Sequence, residues 1–171
     1  MKPPQDAALP PSGKQREQLR SRADNYHAFV QLLQQGQRHI DIFSHQLDRR
    51  LYDTAEVNTL LQQLIRRNRQ ARLRLLLRDP RYLISHGHRI VELSRQLSSY
   101  IEIRQLAEQF DEHGECFSLF DHGGILYRPH AEHFEGWFSL HEPLRVKSER
   151  VFFEEAWAAS PPCRETRRLY L

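Results

Sequence analysis

The polar and apolar positions of this chain change rhythm several times, and each change predicts an element. Tyr26, Phe29, Val30 and Leu33 recur at helical spacing after Asp24, a residue suited to capping a helix start, and Gly36 closes the run. Over residues 38–44 the period drops to two, which predicts a strand ending on a polar tip. Asp53 followed by Glu56 has the form of a capping box, and Val57, Leu60, Leu61, Leu64 and Ile65 then make one wide apolar stripe. Arg66, Arg67 and Arg69 lie near the end of that helix, where cations suit its dipole. Residues 73–77 are almost continuously apolar, as in a parallel strand covered on both faces, and stop at Arg78-Asp79-Pro80. A third helix is expected over 88–97, with Ile90, Leu93 and Leu97 on one side, followed by an alternating strand over 100–104.

Beyond residue 104 the pattern changes. Residues 116–120, the turn Asp121-His122-Gly123-Gly124 and residues 125–127 predict a β-hairpin, and residues 143–158 a last helix with proline in its first turn. Strands alternating with helices imply βαβ crossovers. The expected fold is therefore α/β, with a mainly parallel central sheet flanked by helices and a C-terminal β-hairpin. Residues 1–22, rich in proline and nearly free of apolar side chains, are expected to be a disordered lead-in. Residues 23–160 would form one domain and 161–171 a C-terminal tail, with no internal repeat.

Composition adds modest constraints. The 171 residues suit one domain with its own core. Cys116 and Cys163 are too few for a disulfide framework and lack zinc-site spacing, and the N-terminus has no apolar run resembling a signal or anchor. A cytoplasmic protein without membrane contact is expected. Lys+Arg number 25 against 22 Asp+Glu, a formal charge of +3, too balanced to demand a polyanionic partner. Lysine occurs only at Lys2, Lys14 and Lys147, so the basic residues are mostly arginine, the planar reader of phosphate and carboxylate. GC-rich coding would produce the same bias.

The element order resembles one half, a single repeat, of the phospholipase D-like superfamily over about residues 24–160. That superfamily carries on its hairpin a histidine, any residue, a lysine, four residues and an aspartate. With Asp121 at the aspartate position, Gly114 falls at the histidine and Cys116 at the lysine. A glycine cannot be the nucleophile that takes a phosphoryl group, and a cysteine does not replace the lysine's charge. Moving the register to His113 puts Glu115 and Phe120 at the other two positions, which restores nothing. At closer range, residues 40–44, 77–81, 87–89, 97–99 and 126–129 are similar to an uncharacterised bacterial domain family sometimes joined to GNAT-type acetyltransferases. No glycine-rich acetyl-CoA loop occurs in this sequence. The resemblance also allows a homodimer, because single-repeat members pair two copies to build a site.

In a parallel α/β sheet, ligands bind beyond the carboxyl ends of the strands. That edge selects Ser44 and His45 after the first strand, Arg78, Asp79 and Arg81 after the second, and Arg104 at the third, with Asp121, Tyr127 and Arg128 from the hairpin. Such a rim suits a phosphate, a nucleic-acid backbone or a carboxylate; alternatively, Arg78 and Asp79 pair with nearby loops and finish the strand. His86, His88 and Arg89 surround Gly87 at a predicted helix start, a second place for an anion or simply a helix cap. The pair His130 and His133 has the wrong spacing for a zincin, no nucleophile elbow is present, and no metal or cofactor is expected. The sequence thus predicts a noncatalytic phospholipase D-like domain binding an anionic ligand or a protein partner. A nucleic-acid-binding accessory protein, a phosphodiesterase with an atypical site at His86 or His88, and an accessory partner of an acetyltransferase are the alternatives.

Overall fold

The computed structural model describes residues 16–167. Among them a seven-stranded sheet runs through the molecule: β1 (Glu17–Leu19), β2 (His39–Ser44), β3 (Arg72–Leu77), β4 (Ile101–Gln105), β5 (Cys116–Phe120), β6 (Ile125–Arg128) and β7 (Gly136–Ser139), in the spatial order β1-β7-β6-β5-β2-β3-β4. Only β2–β3 and β3–β4 pair in parallel; the other four pairings are antiparallel. The mainly parallel sheet expected from the sequence is therefore wrong. The hairpin is not appended to a parallel sheet but inserted beside β2, with Ile40 facing Phe120 and Phe43 facing Phe117. The short connection accounts for the β5–β6 pairing, since a parallel return needs a long crossover and residues 121–124 form only a tight turn. Gly123, at φ 89°, supplies the left-handed backbone that turn requires.

The helices form the two outer layers. On one face lie α1 (Arg22–Gln35), α3 (Ala55–Arg67) and α5 (Arg89–Gln96); on the other lies α6 (Pro143–Ala159). Strand alternation explains the division. Ile40, Ile42, Leu73, Leu75 and Leu77 enter the core beneath the first three helices, whereas Phe43, Leu76, Phe117 and Leu119 pack under Phe153 and Trp157 of α6. Short helices α2 (Arg49–Tyr52) and α4 (Arg81–His86) follow β2 and β3 at their carboxyl ends, and a 3₁₀ turn (Glu108–Phe110) follows β4.

Several expected boundaries move. The described part of the expected lead-in, 16–22, belongs to the fold: β1 pairs with β7, and Arg16 Nε donates to Glu142 Oε1 at 2.9 Å. Residues 1–15 lie outside the described residues. Ser21, not Asp24, caps α1, with Asp24 completing a capping box from the third position. Thr54 caps α3 in place of Asp53, whose carboxylate instead meets Arg49 and Arg89. Part of the expected tail is also folded, since α7 (Arg164–Arg167) forms and Cys163 is buried, its N–H donating to Ile103 O at 3.0 Å. This segment covers the outer edge of β4. Both cysteines are free thiols. No helix among the described residues is long and apolar enough to cross a membrane.

Candidate functional site

Beyond the carboxyl ends of β2 and β3 lies a cleft of about 900 Å³. Its lining includes His45, Arg78 and Asp79 from the strand ends, Arg49 and Arg50 from α2, and Arg128 from the end of β6. Arg22 and Phe134 extend it, and Tyr82 of α4 forms part of its rim. Five arginines thus share one concavity with three carboxylates, Asp48, Asp79 and Glu132. Two of those carboxylates are engaged: Asp48 accepts from Arg22 at 3.1 Å, and Asp79 forms a bidentate pair with Arg81 at 2.9 Å.

Arg78 is anchored through its two Nη groups by a ring and a carbonyl. One Nη lies 3.3 Å from His45 Nδ1, and the other donates to His113 O at 3.4 Å. His45 Nε2 is 3.0 Å from the same carbonyl. A carbonyl only accepts, so Nε2 carries the imidazole proton and Nδ1 offers its lone pair to Arg78. Burial lowers the His45 pKa, the hydrogen bond to His113 works the other way, and the adjacent Arg78 charge adds to the lowering. The lowered pKa leaves the ring mainly neutral at pH 7. Asp111, half exposed, forms an ion pair with Arg78 at 3.6 Å from its Nε, too long for a hydrogen bond, and that buried Nε has no hydrogen-bond partner.

Arg128 forms the opposite wall. It is 6% exposed, directs one Nη to His133 O at 3.2 Å, and lies 5.5 Å from the Phe134 ring, on whose face Arg22 also stacks at 4.8 Å. Pairing in the sheet sets Arg128 opposite Cys116. Gly114 accepts from the cleft residue Ala131 at 2.8 Å, and a Cβ built there would meet nothing within 4 Å. The Gly114–Cys116 segment and the arginine cleft therefore adjoin.

The other expected site residues disperse. Ser44 is buried and donates to Gln46 O at 2.6 Å, tightening the turn beside His45. Arg81 points outward, its side chain 86% exposed. Arg104 lies on the α6 side, stacked 4.3 Å over Trp157 and donating to Trp157 O at 2.8 Å, so it caps the end of α6. Tyr127 faces that side too, beneath the Arg145 guanidinium. Asp121 is at the opposite end of the sheet, where it accepts from Gln37 N–H at 3.2 Å. It cannot share a pocket with Gly114, because seven residues of extended chain span roughly 23 Å. His88 caps α5, its Nδ1 accepting from Ile90 N–H at 3.1 Å. Burial pushes the His88 pKa down to about 4, so it too is neutral. Arg89 binds Asp53, and His86 is exposed and stacked on Tyr82.

The expected strand-edge rim thus reduces to His45, Arg78, Asp79 and Arg128. Sequence reading missed Arg22, Arg49, Arg50 and Tyr82 as members. Arg49 and Arg50 had a signal, since they follow the first strand tip within a few residues. Arg22 and Phe134 had none, because only the sheet order carries them to this edge.

A family model described as Domain of unknown function (DUF7931) matches residues 21–169. The chain belongs to that family. No curated protein matches the sequence. Among solved structures, it is similar to TrmBL2, an archaeal chromatin protein described as showing a novel mode of DNA binding, at TM-score 0.63 and 11% identity, over 91% of this chain and 57% of that one. The chain thus spans little more than half the length of TrmBL2. It is similar to Nuc from Salmonella typhimurium, a phospholipase D family member, at TM-score 0.55 and 10% identity, over 78% of this chain and 87% of that one. NucT from Helicobacter pylori matches at TM-score 0.57 and 7% identity, over 87% of this chain and 99% of that one. At these identities the likeness is one of fold: the domain has the mixed α/β architecture of phospholipase D-like proteins.

Proposed function

We propose that this domain binds a phosphate-bearing anion in the arginine cleft and does not carry out phosphoryl transfer through a histidine of the phospholipase D type. The observation that carries this reading is the anchoring of Arg78 by an imidazole and a carbonyl in the cleft that Arg128 shares; on the phospholipase D resemblance, Gly114 and Cys116 stand at the positions of the catalytic pair. A guanidinium held this way is oriented while its carboxylate contact, Asp111 at 3.6 Å, is half exposed and open to competition, which suits recognition of a phosphate oxygen pair. The three similar folds, two of phospholipase D type by name or likeness and one described as DNA-binding, support an anionic polymer as ligand.

His88 does not favour the phosphodiesterase alternative, since its Nδ1 is committed to the α5 cap and its ring is buried away from the cleft. Titration with a fluorescein-labelled 12-mer oligonucleotide at 50 to 200 mM salt tests the reading. Binding should weaken steeply with salt, and Arg78→Ala should cost about tenfold and reduce the salt slope by about one. Salt-independent binding, or an Arg78→Ala protein that binds as well as the parent, overturns it.

A further inference from the structure

Among the described residues, the exposed large apolar side chains are Tyr82 at 44%, and Leu144 and Val151 at 67% each. Only Tyr82 lies in the arginine cleft. Its ring is held rather than loose. His86 stacks on one face with ring centroids 4.2 Å apart and planes 22° from parallel, and His86 Nδ1 donates to Tyr82 O at 3.2 Å, with Ser85 Oγ 2.8 Å away. An aromatic ring that is oriented and exposed beside a line of arginines loses little entropy when something flat settles on it. On the far wall Phe134 is flanked by the Arg22 and Arg128 guanidinium planes. Phosphate alone gives no reason for an exposed, oriented aromatic at the rim.

Resting on the phosphate-binding reading above, we propose that the ligand is a single-stranded nucleic acid, with its backbone along Arg78 and Arg128 and an unpaired base stacked on Tyr82. Base-on-aromatic stacking tolerates any sequence and requires that the base be unpaired. A duplex keeps its bases stacked inside and offers the cleft phosphates only.

The test measures fluorescence anisotropy of the full chain with four labelled probes: a 12-nucleotide thymidine strand, its uridine RNA counterpart, an abasic deoxyribose-phosphate strand of equal length, and a 12-base-pair duplex. Tyr82→Ala is compared with Tyr82→Phe, and circular dichroism melts confirm that both fold. The base-bearing strand, as DNA or RNA, should bind at least fivefold tighter than the abasic strand and the duplex. Tyr82→Ala should lose about tenfold on it and nothing on the abasic strand, and Tyr82→Phe should bind as the parent does. Equal affinity for base-bearing and abasic strands, a duplex bound as tightly, or an inert Tyr82→Ala overturns the single-strand inference and leaves phosphate binding standing. Failure to bind any of the four probes overturns both.

Discussion

Arg74 and Arg78 leave the same stretch of chain four residues apart, yet their surroundings give them opposite uses. Arg74 faces α6 and is saturated by carboxylates: Asp41 accepts from it at 2.7 and 3.0 Å, and Glu154 at 2.6 and 3.0 Å. Burial works against its charge, and the two carboxylates more than offset that, raising its pKa above the ordinary value. Arg78, at the strand's carboxyl end, hydrogen-bonds a ring and a carbonyl instead, with one looser, half-exposed carboxylate, Asp111, at 3.6 Å. Both are ordered arginines, but only Arg74 is hydrogen-bonded to carboxylates. Order alone says nothing about availability; the charge of the partner does.

The largest expected effect lies on the saturated side. Asp41 is 2% exposed and also receives Arg150 at 3.4 Å, so Asp41→Ala leaves two guanidinium groups short of a partner. Breaking a buried pair from one side costs about 3 kcal/mol or more. Urea unfolding should show that loss. Arg78→Ala should shift the same transition by less than about 1 kcal/mol, because no buried carboxylate is orphaned. Equal losses for the two variants would erase the distinction.

His88 is a buried group of another kind, uncharged when folded, and pH measures its contribution. The His88 pKa falls from 6.5 to about 4 on folding, so between those values the unfolded chain binds the proton more readily. Its contribution to stability is present in full above pH 6.5 and is lost as pH falls toward 4 and below. The shift corresponds to about 3 kcal/mol. His88→Asn retains a side-chain acceptor for the α5 cap and removes the titration, so its stability between pH 7 and 4 should decline less than the parent's. Parallel acid profiles for the two proteins would show that His88 is not the titrating group.

What was legible beforehand divides along similar lines. The helices over 22–35 and 55–67 and the strands at 39–44 and 72–77 were visible because one face of each is buried, which imposes a period on the sequence. The sheet's sense was not, since apolar alternation is the same in parallel and antiparallel partners. Only the shortness of the 121–124 turn bore on it. β1 and β7 escaped notice because three or four residues cannot display a period. The strand-edge rule found His45, Arg78 and Arg128 because local order alone puts them at chain tips. It also admitted Arg104 and Tyr127, which sit on the α6 face, and Asp121, at the sheet's other end. Assigning those three required the register of each strand.

The smallest expected effect concerns the gap beside Arg78. Gly114 lies outside the left-handed region, and a side chain built there has open space around it. Gly114→His should therefore fold with stability within about 0.5 kcal/mol of the parent, which thermal melting can measure. The new imidazole would stand one residue from His113, whose carbonyl anchors both His45 and Arg78. If the cleft is the reduced form of a phosphoryl-transfer site, the variant should retain anion binding and gain no turnover of bis-p-nitrophenyl phosphate. Cys116, where the resemblance puts the lysine, carries no positive charge to steady a transferred group, and an added imidazole does not supply one. A destabilised variant would mean that the space at Gly114 is needed by the fold itself, and the vacancy would then reflect packing rather than lost chemistry.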